Sequence, residues 1–207
     1  WLPIGDKLLD ELKTHFLTIK NFPDLTKAST ILEATSREEF YDFLCDRFSV
    51  HSYSSLYDVL PLANITDIFT TNIDDLINRI YESSNTKYIN TTTNEGTPYG
   101  SRSVVNYSPV HGCVRFPSKG FIFSKTKLSS AYTNQRDDWT NLRNTIRSKP
   151  IIFWGWSFDD ADVIQALYSG RNTINENDMK WILLRNPKDY EITFYETLGF
   201  KIIIGDT

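Results

Sequence analysis

Four segments of this chain put chemically capable side chains directly after short apolar runs. They are Thr70-Thr71-Asn72-Ile73-Asp74-Asp75, His111-Gly112, Gly155-Trp156-Ser157 with Asp159 and Asp160, and Asn186-Pro187. Together they supply amide, imidazole and carboxylate groups and a turn of small residues. Imidazole is the side chain that exchanges protons near neutral pH. Hydroxyls and backbone N–H groups at a helix start can hold phosphates. Gly112 lets a ligand or a backbone come close beside His111. Taken singly, each has a structural explanation. Asp74 and Asp75 suit the first turn of a helix, where carboxylates complement the dipole. Asn72 suits a turn or an N-cap, Ser157 with the acids after it suits a helix start, and a lone histidine is often structural. Their recurrence at four successive strand ends points instead to a site.

The elements that must position these groups emerge from periodicity. DKLLDELKTHF repeats Leu8, Leu9, Leu12 and Phe16 at helical spacing. Ser36 followed by Glu39 has the form of a capping box for REEFYDFLCDRF, with Phe40, Phe43, Leu44 and Phe48 on one face. SSLYDVLPLA predicts a short helix ending near Pro61. From Asn64 the period changes. ITDIFTT predicts a strand, DDLINRIY a helix, residues 83–102 a long polar loop, and SPVHGCV a second strand. KTKLSSAYTNQ is irregular or helical, and DDWTNLRNTIRSK is helical. The rest alternates: PIIFWGW strand, DDADVIQALY helix, MKWILLRN strand, DYEITFYETLGF helix ended by Gly199, KIIIGD strand. Strands alternating with helices imply parallel βαβ units. The expected fold is α/β, a Rossmann-like open parallel sheet with helices on both faces and a helical insertion in the N-terminal half. It is expected as a single domain over 1–207, mainly helical in 1–62 and Rossmann-like in 63–207. In such sheets ligands bind beyond the carboxyl ends of the strands, where all four polar segments fall.

Composition narrows the function. A net charge of −4 with scattered Lys and Arg argues against a nucleic-acid-binding surface. No run of eighteen apolar residues marks a membrane span. With two cysteines, Cys45 and Cys113, neither a disulfide framework nor a zinc ribbon can be built, and a reduced, cytoplasmic setting is expected. The chain opens at Trp1 with no basic and apolar leader, and reads as a fragment of a larger protein.

ITDIFTTNIDDLI resembles the strand-to-helix motif of sirtuin-like domains, in which Thr-(Thr/Gln)-Asn-(Ile/Tyr)-Asp closes over the nicotinamide ribose. PVHGCV resembles that family's His-Gly motif. PIIFWGWSFDDADV is similar to its later Gly-x-Ser strand end, particularly as found in bacterial sirtuin-like defence proteins, and ILLRNP to the strand ending in Asn near the adenosine ribose. WLPIGDKLLDEL resembles the segment that comes after the family's Gly-Ala-Gly phosphate loop. That loop is not in the chain and would precede Trp1. The zinc ribbon of the family's protein deacetylases is also absent. The resemblance implies an NAD hydrolase that cleaves the nicotinamide–ribose bond through an oxocarbenium-like state, with NAD as substrate and no metal. It assigns Asn72 to the ribose or the attacking water, Asp74 to the nicotinamide carboxamide, and His111 to proton acceptance. Thr70, Thr71, Gly155 and Ser157 would hold phosphates and ribose, and Asn186 the adenosine ribose.

Two other classes compete. One is a metal-dependent nuclease with Asp74, Asp159 and Asp160 ligating Mg²⁺, against which the chain sets no lysine beside those acids and no basic groove. The other is an inactive NAD- or ADP-ribose-binding sensor or scaffold. By analogy alone, sirtuin-like domains without a zinc ribbon serve as NAD-depleting effectors in bacterial anti-phage defence. A sensor domain or partner protein, a phage-derived trigger and homo-oligomerisation are expected on that analogy. Trp139, Trp156 and Tyr168 are candidates for contact surfaces or for core.

Overall fold

The first fifty positions build three helices around one aromatic-rich core. In the computed structural model, which describes residues 5–91, 103–123, 127, 130, 137–156, 161–168 and 179–205, α1 (Gly5–His15) buries Leu8, Leu9 and Leu12. α2 (Leu25–Thr35) is a helix that apolar periodicity does not predict. It begins at Asp24, whose carboxylate accepts the Lys27 N–H at 2.8 Å, an ordinary N-cap. α3 (Arg37–Phe48) buries Phe40, Tyr41, Leu44 and Phe48. Arg47 reaches back to Glu11 with two hydrogen bonds, at 2.7 and 3.1 Å, and so ties α3 to α1. Phe16 meets Phe40 and Phe43 edge-on, and Tyr41 meets Phe121 edge-on. Such pairs add to the area buried.

The expected capping box does not form. Ser36 is the N-cap of α3, but its side chain makes no capping bond. Its backbone, at φ −146° and ψ 45°, lies off the extended conformation that aims a hydroxyl at the helix N–H groups. Glu39 faces His15 instead, at 3.5 Å. The short helix expected in SSLYDVLPLA is a 3-10 turn over Ser55–Val59.

Beyond it lies the first parallel sheet. β1 (Asp67–Thr70) leads into α4 (Leu76–Glu82). β2 (Lys87–Thr91) and β3 (Ser103–Pro109) complete the order β1-β3-β2, with both pairings parallel. Two expectations are corrected. The stretch expected as one loop contains β2, whose polar KYINT sequence suits an edge strand and carries no apolar signal; residues 92–102 lie outside the described set. The second strand begins and ends five residues earlier than SPVHGCV implies, because Gly112, at φ 98°, turns the chain.

The chain divides into two compact units, Trp1–Asn134 and Gln135–Thr207. The second repeats the α/β alternation: α5 (Asp137–Ser148), β4 (Ile151–Trp154), α6 (Ala161–Tyr168), β5 (Lys180–Arg185), α7 (Asp189–Thr197) and β6 (Lys201–Gly205). Its sheet has the order β4-β5-β6, again wholly parallel. The fold is α/β and Rossmann-like, and the described strands form two three-stranded parallel sheets, one in each unit. Trp139 is fully buried with Leu142, Ile146 and Leu167, so of the three aromatic candidates it belongs to the core; Trp156 and Tyr168 are half-buried. No described helix is long and apolar enough to cross a membrane.

The first unit depends most on its helical core, where Phe40 is wholly buried. Phe40→Ala is expected to destabilise this unit by about 3–5 kcal/mol, read as a lowered midpoint of urea unfolding.

Candidate active site

The register of β1 on β3 sets the site. Thr70 lies opposite Pro109, and the Val110 N–H donates to the Thr70 carbonyl at 2.9 Å. Neighbouring strands run about 4.8 Å apart, so the loops carrying Asn72 and His111 leave the sheet side by side. The Asn72 N–H donates to Thr70 Oγ1 at 3.0 Å, a local turn that leaves the Asn72 side chain exposed. Ile73, the next residue, is buried in the helical core, and its carbonyl accepts the Val114 N–H at 2.8 Å. Each of the two loops thus has one anchored residue beside one presented residue.

His111 is half-buried, and its carbonyl accepts the Ile122 N–H at 2.9 Å. Gly112 is required beside it. A Cβ there would lie 2.5 Å from the Gly120 carbonyl oxygen, on a backbone at φ 98° that disfavours L side chains. Close backbone approach, already legible in the His-Gly pair, is provided by the chain itself over residues 120–122.

The paired acids take different roles. Asp74 is buried, and its Oδ1 accepts the Leu76 N–H at 3.0 Å at the start of α4. Burial, opposed by that hydrogen bond and reinforced by the neighbouring Asp75 charge, holds its carboxyl above the usual carboxylate range. Asp75 is only 2% exposed but well paired: Oδ1 accepts the Val50 N–H at 2.7 Å, and Oδ2 accepts Arg79 Nε and Arg115 Nε, each at 3.0 Å. Beneath them, Cys113 Sγ donates toward the Asp74 carbonyl and Asn78 Oδ1, both at 3.6 Å. Burial pushes this thiol up to about 11, with both acids reinforcing the shift, so it is not a nucleophile at neutral pH. The phenol of Tyr107 is buried beside the Cys113 thiol, and burial likewise raises its pKa. Neither cysteine forms a disulfide.

In the second unit, Gly155 follows β4 at φ 68° and Asn186 follows β5 at φ 46°, the one described non-glycine residue with a positive φ. β4 and β5 are paired neighbours, so both left-handed residues sit at adjacent carboxyl ends. Among the described residues, nothing lies within 4 Å of where a Gly155 Cβ would project. Ser157, Asp159 and Asp160 lie outside the described residues. The candidate set therefore falls into two groups: Thr70, Thr71, Asn72, Asp74 and His111 in the first unit, Gly155 and Asn186 in the second. Residue type and spacing point to Asp75 only as a dipole acid, and assign no site role to Cys113 or Arg115. The Asp74-Asp75 doublet is the one available signal, since ordinary helix starts do not need two buried acids.

Among the described residues, no group of three or more His, Cys, Asp or Glu residues could hold a metal ion. Parallel βα units of this kind are Rossmann-like, a class in which ligands bind beyond the carboxyl ends of the strands. Residues 66–203, more than half of the chain, match the SIR2-like domain family, and the chain belongs to that family, whose domains use NAD. No curated protein matches the sequence.

Three substitutions test this geometry. Because the folded state raises the Asp74 pKa, its stability is greatest below about pH 4, the unfolded carboxyl pKa, and declines as pH rises through the folded value. Asp74→Asn, which cannot ionise and can still accept the Leu76 N–H, is therefore expected to raise the melting temperature at pH 7, with the advantage vanishing below about pH 4. Gly112→Ala is expected to cost more than the roughly 1–2 kcal/mol of a left-handed residue alone, and Gly155→Ala to cost only that. Urea unfolding of the two variants gives the comparison.

Proposed function

We propose that this chain is an NAD⁺ glycohydrolase. The observation that most supports this is the side-by-side departure of the Asn72 and His111 loops, with Asn72 exposed, His111 half-buried and a buried acid, Asp74, between Asn72 and α4. The chemistry breaks the bond between the nicotinamide nitrogen and the ribose carbon, forms a bond from that carbon to a water oxygen, and releases one proton. Asn72 orders the ribose or the attacking water through its carboxamide. His111 accepts the proton, a role suited to imidazole. Asp74 meets the nicotinamide carboxamide. Its carboxylate can accept the carboxamide N–H, and burial raises its pKa above the ordinary carboxyl value.

The residues present fit this substrate. Thr70 and Thr71 are half-buried hydroxyls at the start of the first loop, open backbone faces outward at Gly155, and the Asn186 side chain is exposed. We assign these residues, with Ser157, to the phosphates and riboses. The raised pKa values of Cys113 and Tyr107 argue against a covalent path through either. On the analogy with sirtuin-like defence proteins, the biological use is depletion of NAD in bacterial anti-phage defence, under a sensor or partner protein and as a homo-oligomer.

The test is release of nicotinamide and ADP-ribose from NAD by the full-length protein, with and without candidate activators. His111→Ala and Asn72→Ala are each expected to abolish release while leaving circular dichroism and melting temperature near those of the wild type. Wild-type-like release in both variants would overturn the assignment. NAD bound by the wild type but never cleaved would point to a sensor, and activity lost on chelation to the nuclease reading.

A further inference from the structure

Asp75 and Arg115 stand outside every role assigned above, yet they join the two loops that carry Asn72 and His111. Asp75 lies three residues past Asn72, and Arg115 four residues past His111. Their contact, Arg115 Nε to Asp75 Oδ2 at 3.0 Å, runs beside the Val114 N–H bond to the Ile73 carbonyl at 2.8 Å. Two crosslinks of different kinds therefore bind one loop to the other. A third arm leads outward: Asp75 Oδ1 accepts the Val50 N–H at 2.7 Å, just past the end of α3. Arg115 is itself aimed from the far side, where its Nη2 donates to Glu82 Oε2 at 2.8 Å on the last residue of α4.

We infer that Asp75 and Arg115 are positioning residues that clip the Asn72 and His111 loops into one geometry. The inference rests on the hydrolase reading for its kinetic consequence, but not for its structural one. A buried carboxylate at 2% exposure is costly unless fully paired, and Asp75 is paired by three donors on three segments, so its position depends on all three. Neutralising that charge needs only one guanidinium, and Arg79, one turn along the same helix, already supplies it at 3.0 Å. Arg79 spans no loops, however, whereas Arg115 comes from the other strand end. The second guanidinium is thus redundant for charge balance and useful for geometry. Small displacements of reacting groups can cost large factors in rate.

Removing one arginine at a time separates the two roles. Arg115→Met leaves Asp75 paired with Arg79 and removes the crosslink, while Arg79→Met leaves the crosslink and removes the local pair. If the clip positions the site, Arg115→Met lowers kcat for NAD by about tenfold or more with KM nearly unchanged, and Arg79→Met lowers it by less than about threefold. Arg115→Lys restores part of the loss. Amide hydrogen exchange speeds up in both segments 70–76 and 110–116 in Arg115→Met, and in neither beyond wild-type values in Arg79→Met. Equal kinetic effects of the two variants, or an unchanged kcat in Arg115→Met, would overturn the inference. A wild type that does not cleave NAD removes the hydrolase reading alone. Exchange in the two segments then decides the clip, and unchanged exchange in Arg115→Met defeats it.

Discussion

The parallel pairing of β1 with β3, Thr70 opposite Pro109, is the constraint on which the candidate site depends. A parallel ladder aligns the carboxyl ends of both strands at the same level. Whatever the chain does after Thr70, it does beside the residues that come after Pro109. The two loops are then held by the core on their inner side: Ile73, Val114 and Phe121 join the aromatic cluster under α1–α3. Burial of Ile73 and Val110 beside them leaves Asn72 exposed and His111 half-buried. The helical first fifty residues therefore serve as the floor that the strand ends are anchored to, through apolar contacts and through the Val50 N–H.

Two adjacent carboxylates show how differently the same group can be used. Asp75 is surrounded by one amide and two guanidinium donors and is fully compensated. Asp74 is buried and has no guanidinium partner among the described residues, so burial, reinforced by the Asp75 charge, raises its pKa against the Leu76 N–H bond. In a purely structural helix start, replacing Asp74 by a neutral cap would be favourable. A buried acid left under-compensated, two residues from an exposed carboxamide, is the kind of local conflict that tends to mark function rather than folding.

Much of this is legible in the sequence, for identifiable reasons. Alternation of strong apolar strands with amphipathic helices locates β1, α4 and the whole second unit, because each of these strands is a short, near-continuous apolar run. The same rule misses β2, because KYINT carries no such run. It also misplaces β3, whose SVVNYSP alternates, in favour of the PVHGCV segment whose apolar residues pack after a turn. α2 escapes because its apolar positions are diluted by Thr, Ser and Lys, although its Asp24 cap is in plain view. Among the site residues, the strand-end motifs locate Asn72, Asp74 and His111, whose chemistry residue type reveals. The Asp75–Arg115 pair cannot be read that way, since it joins residues forty positions apart whose proximity depends on strand register.

The two units contribute different kinds of groups to the candidate set. In the first, side chains are the distinguishing feature: a carboxamide, an imidazole, hydroxyls and a buried acid. In the second it is backbone conformation, with Gly155 and Asn186 both left-handed at neighbouring strand ends. Asparagine tolerates that conformation better than most residues and keeps a hydrogen-bonding side chain that glycine lacks. Its presence at 186, directly before Pro187, therefore favours a position chosen for the contacts of its carboxamide, because glycine would satisfy the turn alone with less strain. A strand end that accepts strain to keep an amide, and another that keeps a buried acid poorly compensated, are two separate departures from the most stable sequence for this backbone. Both fall within residues 66–203, the stretch on which membership of the SIR2-like family rests. Family membership therefore carries more about chemistry than either three-stranded sheet does by itself, since parallel βα units alone are compatible with many unrelated activities.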